Sequence, residues 1–447
     1  MKSNSKDISL IIDFIIIFLL SPFLFIKKLY TVIKRCRLYP LIFIEIYVLF
    51  TVILFYFGPI EYPLVNPIKT VCLILLYNFA LIGGYYLADS KFIVKGNKFR
   101  MNFISVRMLL WIGTVVSITF SFVLFTQYSS TLSLSIIIDD LMLGITDPGE
   151  SYLRNINNAK ESSIFTQLMT LLSPLTYLVI PLGLFYFSKL RFLEKVLLII
   201  AISFELFAFI IKGTNFGVFK VAAIFFVVFF LVKKKRKINA NSKILIVFAI
   251  VYFLFSITNR MNLTGIPNTV YGMEIDQNHL LFNILPVSLS IPIMLGTSYI
   301  SQGYYGLSLT SLYNFDSTYG FGSGRFLLTK VESLYNIELW ERTYQYKMDL
   351  LWDSRVNWHT IYVWFANDFG LLGVPIIMAL IGFMFCLIFR DVKEHKSVLA
   401  TILLPLYVLM ILFIPANNII FDNPLMFIPF IFFNILWIFS KRWRVKL

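Results

Sequence analysis

Apolar runs of about twenty residues, separated by short polar segments, recur along the chain, and nothing else in the sequence limits the fold so strongly. A hydrocarbon core of ~30 Å takes about twenty helical residues to cross. The runs fall at 8–26, 39–58, 67–88, 103–126, 164–188, 193–211, 214–232, 243–257, 370–389, 397–415 and 419–440. Composition agrees: 58% of the 447 residues are hydrophobic, 14% are charged and the mean hydropathy is +0.80. That leaves too little polar surface for a soluble protein of this size. Lipid admits only helices and closed barrels, and the runs lack the alternation of barrel strands. The sequence therefore predicts an all-α integral membrane protein, one polytopic domain over residues 1–447 with about 11 transmembrane helices, in the range 10–12. No small-residue cleavage site follows the first run, so it does not read as a signal peptide. That run carries Asp13 and a Ser21–Pro22 break, and both a spanning and an interfacial placement are open to it.

The formal charge of +15 is spread in short clusters between apolar runs, which excludes nucleic acid as a partner and points to the lipid bilayer. The clearest clusters are Lys27, Lys28, Lys34, Arg35 and Arg37, then Lys233 to Lys237, then Lys441, Arg442, Arg444 and Lys446. Linkers 27–38, 89–102, 189–195, 233–243, 390–396 and 441–447 then share one face, the cytoplasmic one by the positive-inside rule. The opposite linkers GPIEYPLVNP and PANNIIFDNP contain no Lys or Arg. Cys36, Cys72 and Cys386 form no pattern for a disulfide or a zinc site.

Two outward loops are much longer than the rest, 127–163 and 258–357, the second partly helical and interfacial in character. Its segment LLFNILPVSLSIPIMLG is apolar but broken by Pro286 and Pro292, as in a re-entrant element. Near its end stands WDSRVNWHT (352–360), polar chemistry between two tryptophans. A single helix over 359–389 would be about 46 Å long, too long for one crossing. The NDFG sequence at 367–370 offers a break, giving an interfacial helix at 357–366 and a span at 370–389. Trp352 and Trp358 then serve as interfacial anchors.

Basic residues outside run against the positive-inside trend: Arg154, Lys160, Lys212, Arg260, Arg325, Lys330, Arg342, Lys347 and Arg355. Arginine binds diphosphate bidentately, so a lipid-linked diphosphate headgroup is the matching ligand. The plainer alternative is snorkelling to lipid phosphates. Asp353 and His359 are the best-placed candidates for base chemistry on a sugar hydroxyl. The alternatives are an aromatic-belt role for His359 and, for Asp353, a helix cap or a pair with Arg355. Asp368 reads as a helix cap. GFGSGR (320–325) resembles a phosphate-cradling loop without Walker spacing. Tyr304 and Tyr305 are among the aromatics that can stack on sugar rings or pack inside the protein. Metal-binding Asp-x-Asp and HExxH patterns are absent from the sequence, as is a serine-hydrolase elbow, so neither metal nor cofactor is expected.

At YISQGYYGLSL (299–309), YGFGSGRFL (319–327), RTYQYK (342–347) and WDSRVNWHTIYVWFANDFGLLG (352–373) the chain resembles the O-antigen polymerases of the Wzy family. LRN at 153–155 and KGTN at 212–215 also look like elements of that family. The resemblance implies a C-type-like, metal-independent glycosyltransferase of the bacterial inner membrane. It would join undecaprenyl-diphosphate-linked repeat units at the periplasmic face, moving the growing glycan onto the non-reducing end of a new unit. It further implies a polysaccharide co-polymerase as chain-length-regulating partner. Carried onto this sequence, Arg355, Asp353 and His359 become the catalytic candidates. Arg154, Lys212, Arg260, Arg325 and Arg342, with Tyr304 and Tyr305, become the diphosphate- or glycan-binding ones. The arginine loop motif of some members, with glycine eleven residues on, is absent: Asn336 and Ala366 stand at those offsets from Arg325 and Arg355. A lipid-linked oligosaccharide flippase and an O-antigen ligase are the competing functions, the first disfavoured by nearly uncharged spans.

Overall fold

The computed structural model describes residues 38–95, 103–128, 133–157, 164–232, 251–259, 261 and 265–445. The run at 8–26, the basic clusters at 27–37 and 233–237, Lys160 and Arg260 lie outside the described residues. The chain is mostly helical. In helix α1 (Tyr39–Phe57), Phe43, Ile46, Phe50, Ile53 and Phe57 form an exposed stripe at helical spacing, and Leu41, Ile44, Val48, Thr51 and Phe55 form the buried one. A helix apolar on both faces is at home in lipid. Four helices are long and apolar enough to cross a membrane, within Pro40–Phe57, Pro67–Ser90, Phe103–Phe125 and Ile361–His395. Shorter apolar helices cover Phe216–Phe229, Val287–Ser301, Val398–Leu412 and Pro424–Ser440. The protein is membrane-embedded and built of apolar helices.

Helices α2 (Pro67–Lys91) and α3 (Phe103–Tyr128) follow the expected runs, and the first long loop forms α4 (Leu134–Thr146) and α5 (Pro148–Asn157). The run 164–188 is broken into α6 (Ile164–Leu171) and α7 (Ser173–Tyr186), where Pro174 lacks the N–H that would continue the helix. Helices α8 (Phe192–Ile211) and α9 (Phe216–Phe226) make a hairpin through KGTN. The second long loop carries α10 (Leu280–Ile284), α11 (Val287–Ser301), α12 (Gly303–Leu309), α13 (Arg325–Tyr335) and α14 (Tyr344–Lys347). Then come α15 (Ile361–His395), α16 (Val398–Leu412), α17 (Ile419–Asp422) and α18 (Pro424–Ser440). Gly370 breaks α15 with φ 64 and ψ 168, at the boundary that NDFG marks. Helix α15 packs along α2 more extensively than any other pair. Gly84 faces the backbone of Ala379, and Gly382 faces that of Leu81, so a side chain at either glycine would force the helices apart.

Two short ribbons, beyond the reach of a period-two pattern, amend the all-α expectation. Strand β1 (Ile60–Glu61) joins linker 58–67 to the second long loop. It pairs there with the last member of a small hairpin. Strand β2 (Phe92–Lys95) lies at the other end of α2. The hairpin comprises β3 (Thr269–Val270) and β4 (Met273–Ile275), with Ile60 opposite Ile275. Strand β2 pairs with β5 (Arg442–Val445), bringing two basic linkers together. Linkers assigned to one face by charge thus meet each other, and so do those of the opposite face. The molecule has a basic-linker pole and a long-loop pole.

Candidate functional site

The long-loop pole is organised by two adjacent residues of α15. Asp368 accepts from Thr318 Oγ1 (2.5 Å), Gly320 N (2.9 Å) and Gly322 N (2.9 Å) at one carboxylate oxygen, and from Ser323 Oγ (2.5 Å) at the other. The amide of Asn367 donates to the Gly322 carbonyl and to Gln345 Oε1, and its oxygen accepts from Tyr344 N at 2.9 Å. The glycine-rich loop therefore does cradle an anion, but the anion is the protein's own Asp368. This corrects the phosphate reading of GFGSGR: two of its N–H donors are taken. Asp368 binds this loop instead of capping a helix start.

Beyond the loop stands Arg325, at the start of α13. Its backbone N–H donates to Asp422 Oδ1 (2.9 Å), and its guanidinium lies 4.8 Å from the centre of the Trp340 ring. Asn418 Nδ2 donates to the Ser323 carbonyl at 2.6 Å, fastening the PANNIIFDNP linker to the same loop. Burial raises Asp422 to about 6, opposed by the Arg325 N–H and charge. Burial pushes His359 down to about 3, the Arg325 charge adding to the effect and Asp349 opposing it. His359 is thus neutral near pH 7, and neither ring nitrogen has a hydrogen-bond partner among the described residues. The bidentate contact of Arg355 with Asp353, 3.0 Å from Nε and 2.9 Å from Nη2, holds that carboxyl below its usual range. Arg325 contributes to this too, so one guanidinium acts on His359, Asp353 and Asp422 together.

The other candidates divide. Arg342 is exposed and donates to Tyr319 Oη at 2.8 Å, over whose ring it also lies. Arg154 pairs with buried Asp140 at 2.8 Å, and Lys212 ends α8 nearby, where Ser151 and Asn155 bond the Ile211 carbonyl. Aromatic contacts of Phe216 with Phe413 (6.5 Å) and Phe413 with Trp358 (6.3 Å) connect that loop to the 352–360 segment. Tyr304 and Tyr305 are inside the protein: Tyr304 shares a hydrogen bond with Thr51, and Tyr305 packs on Tyr62 and Trp352. Trp352 is buried rather than interfacial, because its indole N–H finds an internal acceptor in the Trp358 carbonyl at 3.0 Å.

Sequence reasoning missed Asn418 and Asp422, noted only as part of a linker without Lys or Arg, and Gln302, which lies mid-way between α11 and α12. The signal available was Asn417, Asn418, Asp422 and Asn423 inside an otherwise apolar linker. Comparison with protein-family models, with curated proteins and with solved structures finds no match for the chain.

Proposed function

We propose that the protein polymerises undecaprenyl-diphosphate-linked oligosaccharide repeat units at the periplasmic face of the bacterial inner membrane. The observation that carries this reading is the bidentate Arg355–Asp353 pair close in sequence to buried, unbonded His359, with the Arg325 charge acting on both, in an otherwise apolar helical protein. These residues come from two segments, 319–327 for Arg325 and 352–373 for the other three, each with the family resemblance. An acceptor hydroxyl oxygen forms a bond to the donor anomeric carbon as the bond to the diphosphate breaks. The hydroxyl proton passes to water or to the departing diphosphate. Negative charge grows on that leaving group, where fixed guanidinium groups lower the barrier without a metal. Neutral His359 and the strongly paired Asp353 are weak bases, so orientation of the acceptor is the role their chemistry supports best.

The test is deletion of the gene in its native strain, with lipopolysaccharide resolved on a gel. A polymerase leaves lipid A-core capped by a single repeat unit, and wild-type complementation restores the ladder. Loss of all capped core would indicate a flippase or a ligase instead.

A further inference from the structure

The chain passes from α11 into α12 through Gln302 in helical geometry, φ −57 and ψ −26. Positions 302 and 306 therefore share one helical face, a turn apart. Gly306 leaves that face bare where the imidazole lies: a Cβ there would sit 2.6 Å from His359 Nδ1. Gln302 projects from the same face one turn earlier. Gly303 abuts the backbone at Thr360 and Pro415, and Ile361 N donates to the Ile414 carbonyl at 2.9 Å, so the 414–418 segment closes a further side.

The segments packed together here carry three polar side chains, each almost wholly buried: Gln302 at 0%, Asn418 at 0% and His359 at 2% exposure. Both amide atoms of Gln302, both ring nitrogens of His359 and Oδ1 of Asn418 have no hydrogen-bond partner among the described residues. Buried polar atoms are costly unless something bonds them, and native proteins leave few so. The set mixes donors and acceptors and carries no net charge. An anion would meet amide oxygens here, whereas a hydroxyl group, which donates and accepts, satisfies both kinds of atom. The imidazole supports this, since burial keeps it uncharged.

We infer that Gln302, His359 and Asn418 form a subsite for the uncharged hydroxyl groups of a saccharide, beside the arginines that take the charged part of the substrate. The inference rests on the polymerase reading for the saccharide's identity as the acceptor glycan. Water offers the same hydroxyl chemistry, and the test separates the two. Gln302→Leu keeps the volume but removes both polar atoms. A ligand-facing amide predicts that purified Gln302→Leu melts at or above the wild-type temperature, because no protein hydrogen bond is lost. Methyl galactoside or N-acetylglucosamine should raise the melting temperature of wild type but not of Gln302→Leu, while inorganic pyrophosphate raises both. In the complemented deletion strain the variant should lose polymer about tenfold, as one hydrogen bond commands. Gly306→Ala, which displaces the imidazole without removing a polar atom, should lose polymer as well.

A lowered melting temperature for Gln302→Leu would show that the amide serves the fold, and would overturn the inference. Wild-type polymer from Gln302→Leu, with no saccharide effect on wild type, would show that water alone occupies the site. A deletion strain with an unchanged ladder would instead overturn the polymerase reading, while the saccharide shifts would still report on the subsite.

Discussion

At the basic-linker pole, Asp391 is fully buried and paired with Lys441, itself buried, and it also accepts from Trp437 Nε1 at 2.8 Å and faces His395 at 3.2 Å. Arg390 beside it donates to the carbonyls of Ala88 (3.2 Å) and Phe92 (2.8 Å). At the long-loop pole the charged groups are differently disposed. Arg355 is 77% exposed at its side chain, Arg342 is exposed, and buried His359 has both nitrogens unbonded among the described residues. One pole buries its charge pairs; the other exposes its cations, Arg355 against Asp353 and Arg342 against Tyr319, and leaves buried hydrogen-bonding groups of His359 unbonded among the described residues. Asp368 shows that the second pole is not loosely built: a buried knot there fixes the loop that carries Arg325.

That contrast can be broken first at Asp391. Asp391→Ala removes the carboxylate that faces the buried Lys441 ammonium and should cost roughly 3–5 kcal/mol in unfolding measured in detergent, while Asp391→Asn with Lys441→Met should recover much of it. Next is Asp368→Ala, which takes a shared acceptor from four donors at once, Thr318 Oγ1 alone keeping the Asn367 carbonyl, and should cost about 3 kcal/mol with loss of polymerisation. Asp368→Asn, which keeps an acceptor oxygen for the glycine N–H groups, should be milder. An equal loss for both would mean that the charge, and not the hydrogen bonding, holds the loop.

The His359 titration gives a smaller, pH-dependent effect. Its folded pKa of about 3 lies below the ordinary 6.5, so the unfolded chain binds more protons between those values. Its contribution is therefore complete above pH 6.5 and is lost as pH falls toward 3, with a slope of about 1.4 kcal/mol per pH unit. His359→Phe should flatten that part of the stability profile; an unchanged slope would assign it to other groups. Smallest for stability is Arg355→Ala, an exposed pair worth about 1 kcal/mol or less. Its melting temperature should barely move while polymerisation falls, which separates the two poles most cleanly.

The apolar runs made α1, α2 and α3 legible, and NDFG marked the kink in α15, because lipid solvation and backbone punctuation act locally. The broken run at α6–α7 was less so, since a proline near the start of a helix is compatible with either reading. The ribbons escaped because strands of two to four residues carry no periodicity. In the site, WDSRVNWHT announced itself by polar residues in an apolar setting. Its partners did not: Gln302 and Asn418 matter through a helix face and a linker brought together only by tertiary packing. The glycines of 320–324 signalled a bound anion, but nothing local named Asp368 as that anion.

The most direct test of the account is polymerisation by purified protein in proteoliposomes supplied with undecaprenyl-diphosphate-linked repeat units. Wild type should build a ladder, Arg325→Ala should build none while melting close to wild type, and Asp391→Asn with Lys441→Met should still build one. Full activity in Arg325→Ala, or no ladder from folded wild type, would contradict the assignment of the long-loop pole as the site of chemistry.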